Sequence, residues 1–106
     1  MADTYKLLYS GQPASGGTTL ITVGTGKAQI VKHIASVNTD TSDRTIQFYR
    51  NGTDAAHKWS PPLLVKANDG MSEWDGTEAM GDGDTLYAVA SVSSKISVTV
   101  TGDEVS

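Results

Sequence analysis

The sequence predicts an all-β protein: a single antiparallel β-sandwich, jelly-roll-like, with about seven or eight short strands. Three observations carry that expectation. Short β-patterned runs recur about every 8–12 residues, separated by turns rich in glycine, asparagine and aspartate. No stretch of about eleven residues or more carries the helical period of about 3.6. Threonine and serine make up 24 of the 106 residues, and β-branched threonine suits strands with one solvated face.

Lys6-Leu7-Leu8-Tyr9 is the first predicted strand, ended by Ser10-Gly11-Gln12-Pro13 and a loop of small residues to Gly17. A second covers Thr18 to Val23, and the glycines of Gly24-Thr25-Gly26-Lys27 permit a tight turn after it. Ala28 to Asn38 is the longest run. Neither of its two faces is cleanly polar, which predicts partial cover on both sides. Residues 44–50 alternate, with Ile46 and Phe48 facing inward. Asn51-Gly52 is the strongest hairpin signal in the chain, so a strand through His57, Lys58 and Trp59 is expected to pair back on the Phe48 strand. Pro61-Pro62 ends or edges that strand, because proline cannot donate to a ladder. Short fragments follow at Leu63-Leu64-Val65, Met71-Ser72-Glu73-Trp74 and Glu78-Ala79-Met80, punctuated by Asn68-Asp69-Gly70 and by Gly81-Asp82-Gly83-Asp84. Strands at 85–90 and 96–101 finish the pattern, the last with Ile96, Val98 and Val100 on one face.

The length fits one domain, residues 1–106, preceded by a short N-terminal arm of about residues 1–5. A net charge of −4, with basic residues scattered along the chain, disfavours nucleic acid and anionic membrane surfaces as partners. There is no cysteine, hence no disulfide framework and no thiolate metal site. The start, Met1-Ala2-Asp3-Thr4, has no basic region ahead of an apolar stretch, and no apolar run nears the roughly 20 residues that cross a bilayer. The expectation is a soluble chain made in a cytoplasm.

Motifs that carry chemistry fail on spacing. Gly24-Thr25-Gly26-Lys27 lacks the four intervening residues and the Ser or Thr of a phosphate loop, and no helix follows it. The acidic residues Asp69, Glu73, Asp75, Glu78, Asp82 and Asp84 do not match the calcium loop. His33 and His57 form no paired motif and read as sheet-surface histidines, so no metal or cofactor is expected. No serine sits in a nucleophile elbow, and an enzyme is not expected. Asn51-Gly52-Thr53 matches a glycosylation sequon but reads better as turn chemistry. Trp59, Met71, Trp74 and Met80 cluster in the second half, where two readings stand: core packing, or a subunit interface, in which tryptophan and methionine are enriched.

The order of pieces carries a resemblance. Ser10-Gly11-Gln12, the strand Thr18 to Val23, the Gly24–Lys27 turn, Val37-Asn38-Thr39, residues 46–52, Gly81 to Leu86 and Val98 to Gly102 together resemble the small all-β virion proteins of tailed bacteriophages, particularly head decoration (cement) proteins. The second turn departs from that group in having Gly24 where proline is associated with it. The resemblance implies a non-enzymatic protein of the virion that assembles as a homotrimer and binds the major capsid protein or another virion protein; related proteins sit at necks and tails. Thr4, Tyr5, Trp59, Met71, Trp74 and Met80 are the expected interface residues, with the N-terminal arm reaching the capsid or an adjacent subunit. The rival reading is a carbohydrate-binding module in which Trp59, Trp74 and Tyr87 stack on a sugar ring.

Overall fold

The computed structural model describes residues 3–52, 55–59 and 62–105. Among the described residues eight strands form two sheets: β1 (Asp3–Gly11), β2 (Thr18–Thr22), β3 (Ala28–Asn38), β4 (Arg44–Arg50), β5 (Leu63–Val65), β6 (Gly70–Met80), β7 (Thr85–Ala90) and β8 (Ile96–Val105). Sheet A has the order β1-β8-β3-β6 and sheet B the order β2-β7-β4-β5, all antiparallel. The pairs β1·β8, β2·β7, β3·β6 and β4·β5 are those of one long hairpin folded at its β4–β5 bend. The β8·β3 and β7·β4 pairings then roll that hairpin into a jelly roll. The predicted fold class is therefore the observed one.

The core lies between the sheets. Ile96, Val98 and Val100 of β8 are fully buried, as are Leu86, Ala88 and Ala90 of β7, Ile46 and Phe48 of β4, and Val65 of β5. β7 and the first half of β8 follow the two-residue period of a strand with one face inward, while in β4 Gln47 is buried as well as its neighbours.

β3 breaks that period for a definite reason. Val31 pairs with Gly102 and His33 with Thr101, so Lys32 is an extra residue with no opposite number on β8. Opposite the same point β1 inserts Leu8, and β6 inserts one residue more than β3. These bulges form a line across sheet A and reverse the inward phase of β3, from Val31 before the line to Ile34, Ser36 and Asn38 after it. That reversal is why neither face of the β3 sequence is polar throughout. Gly102 sits on the line. A Cβ there would lie 2.0 Å from the carbonyl oxygen of Ile30, so the backbones approach at a distance only glycine allows. A bulge at Leu20 of β2 likewise lets neighbours Leu20 and Ile21 both face the core.

Three sequence expectations change. The first strand begins at Asp3, not Lys6, so residues 3–5 of the expected arm are strand paired with β8; Met1 and Ala2 lie outside the described residues. The two fragments around Trp74 and Ala79 are one strand, continuous through the bulge at Gly76. Asn51-Gly52 does not make a two-residue hairpin. Asn51 takes a positive φ of 60°, a 3-10 turn at Ala55–His57 follows, and the return onto β4 is a single bridge, Tyr49 to Lys58, with the Trp59 N–H donating to the Phe48 carbonyl at 2.9 Å. Thr53 of the sequon and Pro61 of the edge signal lie outside the described residues.

Candidate functional site

Two surfaces concentrate the side chains singled out by the sequence. The first is the outer face of sheet A. Register sets its rows: Leu7, Thr101, His33 and Asp75 in one, Ser10, Thr99, Ala35 and Glu73 in the next, then Ser97, Val37 and Met71. Tyr5, Asp103, Ile30 and Ala79 form the row beyond the bulge line. Thr99, Thr101 and Ala35 make part of the middle of this face small, beside the charged Lys32 and Asp103, and three large apolar residues stand exposed on it: Tyr5 is 64% exposed, Met71 57% and Leu7 55%. Tyr5 is fixed there by its hydroxyl, 3.1 Å from Thr101 Oγ1, and Lys32 Nζ is held by Asp103 at 2.7 Å.

His33 stands at the β6 side of this face, between two carboxylates. Its Nε2 lies 2.8 Å from Glu73 Oε2 and 3.8 Å from Asp75 Oδ1. The three ligand atoms all fall within 4.8 Å of one another. Glu73 and Asp75 share a face because alternate residues of a strand do. His33 joins them only through the β3·β6 register, 40 residues away in sequence, which explains why spacing motifs overlooked it.

The second surface is an open cleft of about 520 Å³ where the edge strand β6 meets the end of β4. Trp59 and Trp74 form one wall, packed edge to face with ring centroids 5.4 Å apart. Both are half-buried and rest against the core. Arg50 and Glu78 form the opposite wall as an ion pair spanning the two sheets, and Arg50 also reaches Asp84 at 3.0 Å. The Gly81 N–H donates to Asp84, which with Arg50 and Asn51 holds this carboxyl below the usual carboxylate range. His57 and Lys58 complete the lining. Asn51 is occupied twice: its Oδ1 accepts from the Thr85 N–H at 2.8 Å and its Nδ2 donates to Asp84 Oδ1.

The expected site residues thus separate. Met71 and Tyr5 are exposed on the outer face of sheet A, and Thr4 pairs with Glu104 through the backbone register of the same sheet. Trp59 and Trp74 meet in the cleft. Met80 is a correction: it is 1% exposed, inside the core, because it lies on the inward-facing side of β6 opposite Gln29. Tyr87 does not join the tryptophans. Its hydroxyl donates to the Gly16 carbonyl at 3.3 Å, and it lies on sheet B away from the cleft lining. The acidic residues of the second half do not converge either: Glu73 and Asp75 face His33, while Glu78 and Asp84 pair with Arg50. Gly24–Lys27 is a plain turn, closed by the Lys27 N–H on the Gly24 carbonyl at 3.2 Å.

No known family and no curated protein matches the chain. Solved structures do match in fold. A chain from the disulfide-linked pili of Bacillus endospore appendages superposes with a TM-score of 0.53 at 11% identity, over 99% of this chain and 87% of that one. A chain from infectious bursal disease virus, Gx strain, gives a TM-score of 0.53 at 12% identity, over 97% of this chain and 32% of that one. This protein therefore spans about a third of the viral chain it matches. At these identities the likeness is one of fold: an eight-stranded, two-sheet all-β module.

Proposed function

We propose that this protein is a non-enzymatic structural subunit of a virion, a head decoration (cement) protein that assembles as a homotrimer and reinforces the capsid lattice. The observation that carries the reading is the outer face of sheet A. Three large apolar residues, Tyr5, Leu7 and Met71, stand exposed on it, near the small residues Thr99, Thr101 and Ala35. Such a face is costly to leave in water and fits a flat protein partner. In this reading further copies of the chain cover it, and the outer edge of β1 meets the lattice, where an exposed edge adds a strand to a neighbour. The fold neighbours lend support in kind: one comes from a pilus and one from a virus, and both are assemblies of many protein chains.

Native mass spectrometry and light scattering test the assembly, and binding to undecorated capsids tests the role. Trimers are expected, and Met71→Glu together with Leu7→Glu is expected to return monomers that no longer decorate. A monomer at high micromolar concentration that also fails to bind capsids overturns the proposal. A second reading rests on the cleft, whose aromatic wall faces an Arg–Glu pair in the manner of sugar sites. A glycan array showing binding that is lost in Trp74→Ala would favour it over the first.

A further inference from the structure

We propose that His33, Glu73 and Asp75 form a divalent-cation site on the outer face of sheet A, selective for zinc-like ions over calcium. A surface histidine paired with one carboxylate needs no ion. Here two carboxylates converge on the same imidazole nitrogen, at 2.8 Å and 3.8 Å from Nε2. One proton on that nitrogen can serve only the nearer of them, since 3.8 Å lies beyond a hydrogen bond. A metal ion in place of the proton serves both and offsets the repulsion between the two negative groups.

The spacing suits such an ion. A tetrahedral zinc about 2.0–2.2 Å from each donor needs donors roughly 3.3–3.6 Å apart. The two separations from His33 bracket that range, and all three donors lie within 4.8 Å of one another, so movements of the carboxylates on the order of an ångström seat the ion. The carboxylates have room to make it, with side chains 53% exposed at Glu73 and 78% exposed at Asp75. The histidine comes from β3, a strand paired on both sides, so the ligand that most needs fixing is held along both edges. One imidazole with two carboxylates suits zinc, nickel or cobalt, whereas calcium takes six to eight oxygens.

Titration of the protein with zinc chloride, followed by calorimetry and by backbone amide NMR, tests the site. Saturable binding of one ion per chain is expected, with shifts centred on residues 33, 73 and 75. His33→Ala and Glu73→Gln are each expected to weaken it about tenfold or more. His57→Ala is expected to leave it unchanged, and calcium to produce no saturable signal. Glu73 is an exposed residue on an edge strand, so its variant keeps the fold, and the circular dichroism of the metal-free variants checks this. Absence of saturation up to about 1 mM zinc, roughly the weakest binding worth calling a site, overturns the proposal. So does undiminished affinity in His33→Ala, a shift pattern centred on His57, or calcium binding as tightly as zinc.

Discussion

Met71 and Met80 are the same residue on the same strand, yet one is 57% exposed and the other 1%. The bulge at Gly76 lies between them and offsets the register of β6 against β3. Met71 sits opposite Val37 on the outer face, and Met80 opposite Gln29 on the inner one. The same contrast runs along the strand: Glu73 and Asp75 face outward to His33, while Trp74 and Glu78 face inward to Trp59 and Arg50. One edge strand thus turns a side packed on the core and an exposed side to opposite faces of the sheet. Residue type does not decide which side a methionine serves; strand phase does.

Substitutions along β6 and its neighbours test that division. Met80→Ala carries the largest expected effect, about 2–5 kcal/mol of unfolding free energy, because it empties a filled site in the core. Urea denaturation measures it, and a loss below about 1 kcal/mol would place Met80 outside the core. Gly102→Ala follows, expected to cost about 1–3 kcal/mol or more as the Ile30 carbonyl is forced aside. An unchanged melting temperature there would mean that the bulge line yields freely. Trp74→Ala is expected to cost about 1.5–3 kcal/mol, the value of burying a large apolar side chain. A double-mutant cycle with Trp59→Ala should return about 0.5–1.5 kcal/mol of coupling between the two rings. Met71→Ala sits at the other end, within about 0.5 kcal/mol of the parent in stability. Its expected effect is on assembly, read by sizing, and a destabilisation matching that of Met80→Ala would erase the distinction between the two faces.

The smallest effect is one of pH. Asp40, Asp43, Asp84 and Glu104 all titrate below their ordinary values. For Asp40 and Glu104 the leading cause is a cationic side chain, Arg44 and Lys6 respectively; for Asp43 and Asp84 it is a backbone N–H, from Ala67 and Gly81. A depressed carboxyl adds stability that is fully present above its unfolded value and fades as pH falls through the folded one. Stability should therefore stay level from neutrality to about pH 5 and decline below about pH 4. Asp84→Asn should flatten part of that decline, measured as the melting temperature against pH.

Much of the fold was legible because its inner strands keep a clean two-residue period. Val98 and Val100 alternate with half-buried Ser97 and Thr99, so that inward face reads directly; in β4 Ile46 and Phe48 face inward as expected, although Gln47 between them is buried too. β3 was not legible. A bulge is a relation between strands, and nothing at Lys32 itself announces that it has no opposite residue on β8. The Asn51-Gly52 signal pointed to a reversal that does occur, but the chain takes a 3-10 turn before a single bridge closes it. The site was less legible still. The outward pairing of Glu73 with Asp75 follows from alternation, whereas the approach of His33 depends on which strands are neighbours and in what register. Met80 illustrates the same limit: its residue type left core packing and a subunit interface both open, and register turned it inward.

The rolled-hairpin pairing has a consequence for how the chain folds. β4 and β5 are the partners nearest in sequence, and each pair outward from them joins segments farther apart, until Asp3 meets Val105. Contacts so distant in sequence make for slow folding, on the scale of milliseconds to seconds. They also suggest an order, with the bend forming first and the two termini zipping up last, when the entropy of closing the longest loop has already been reduced. β1 is then the last strand to arrive, and like the other edge strands it is held along one side only. A strand with that history is the natural candidate for exchange between copies, each chain closing its neighbour's sheet in place of its own.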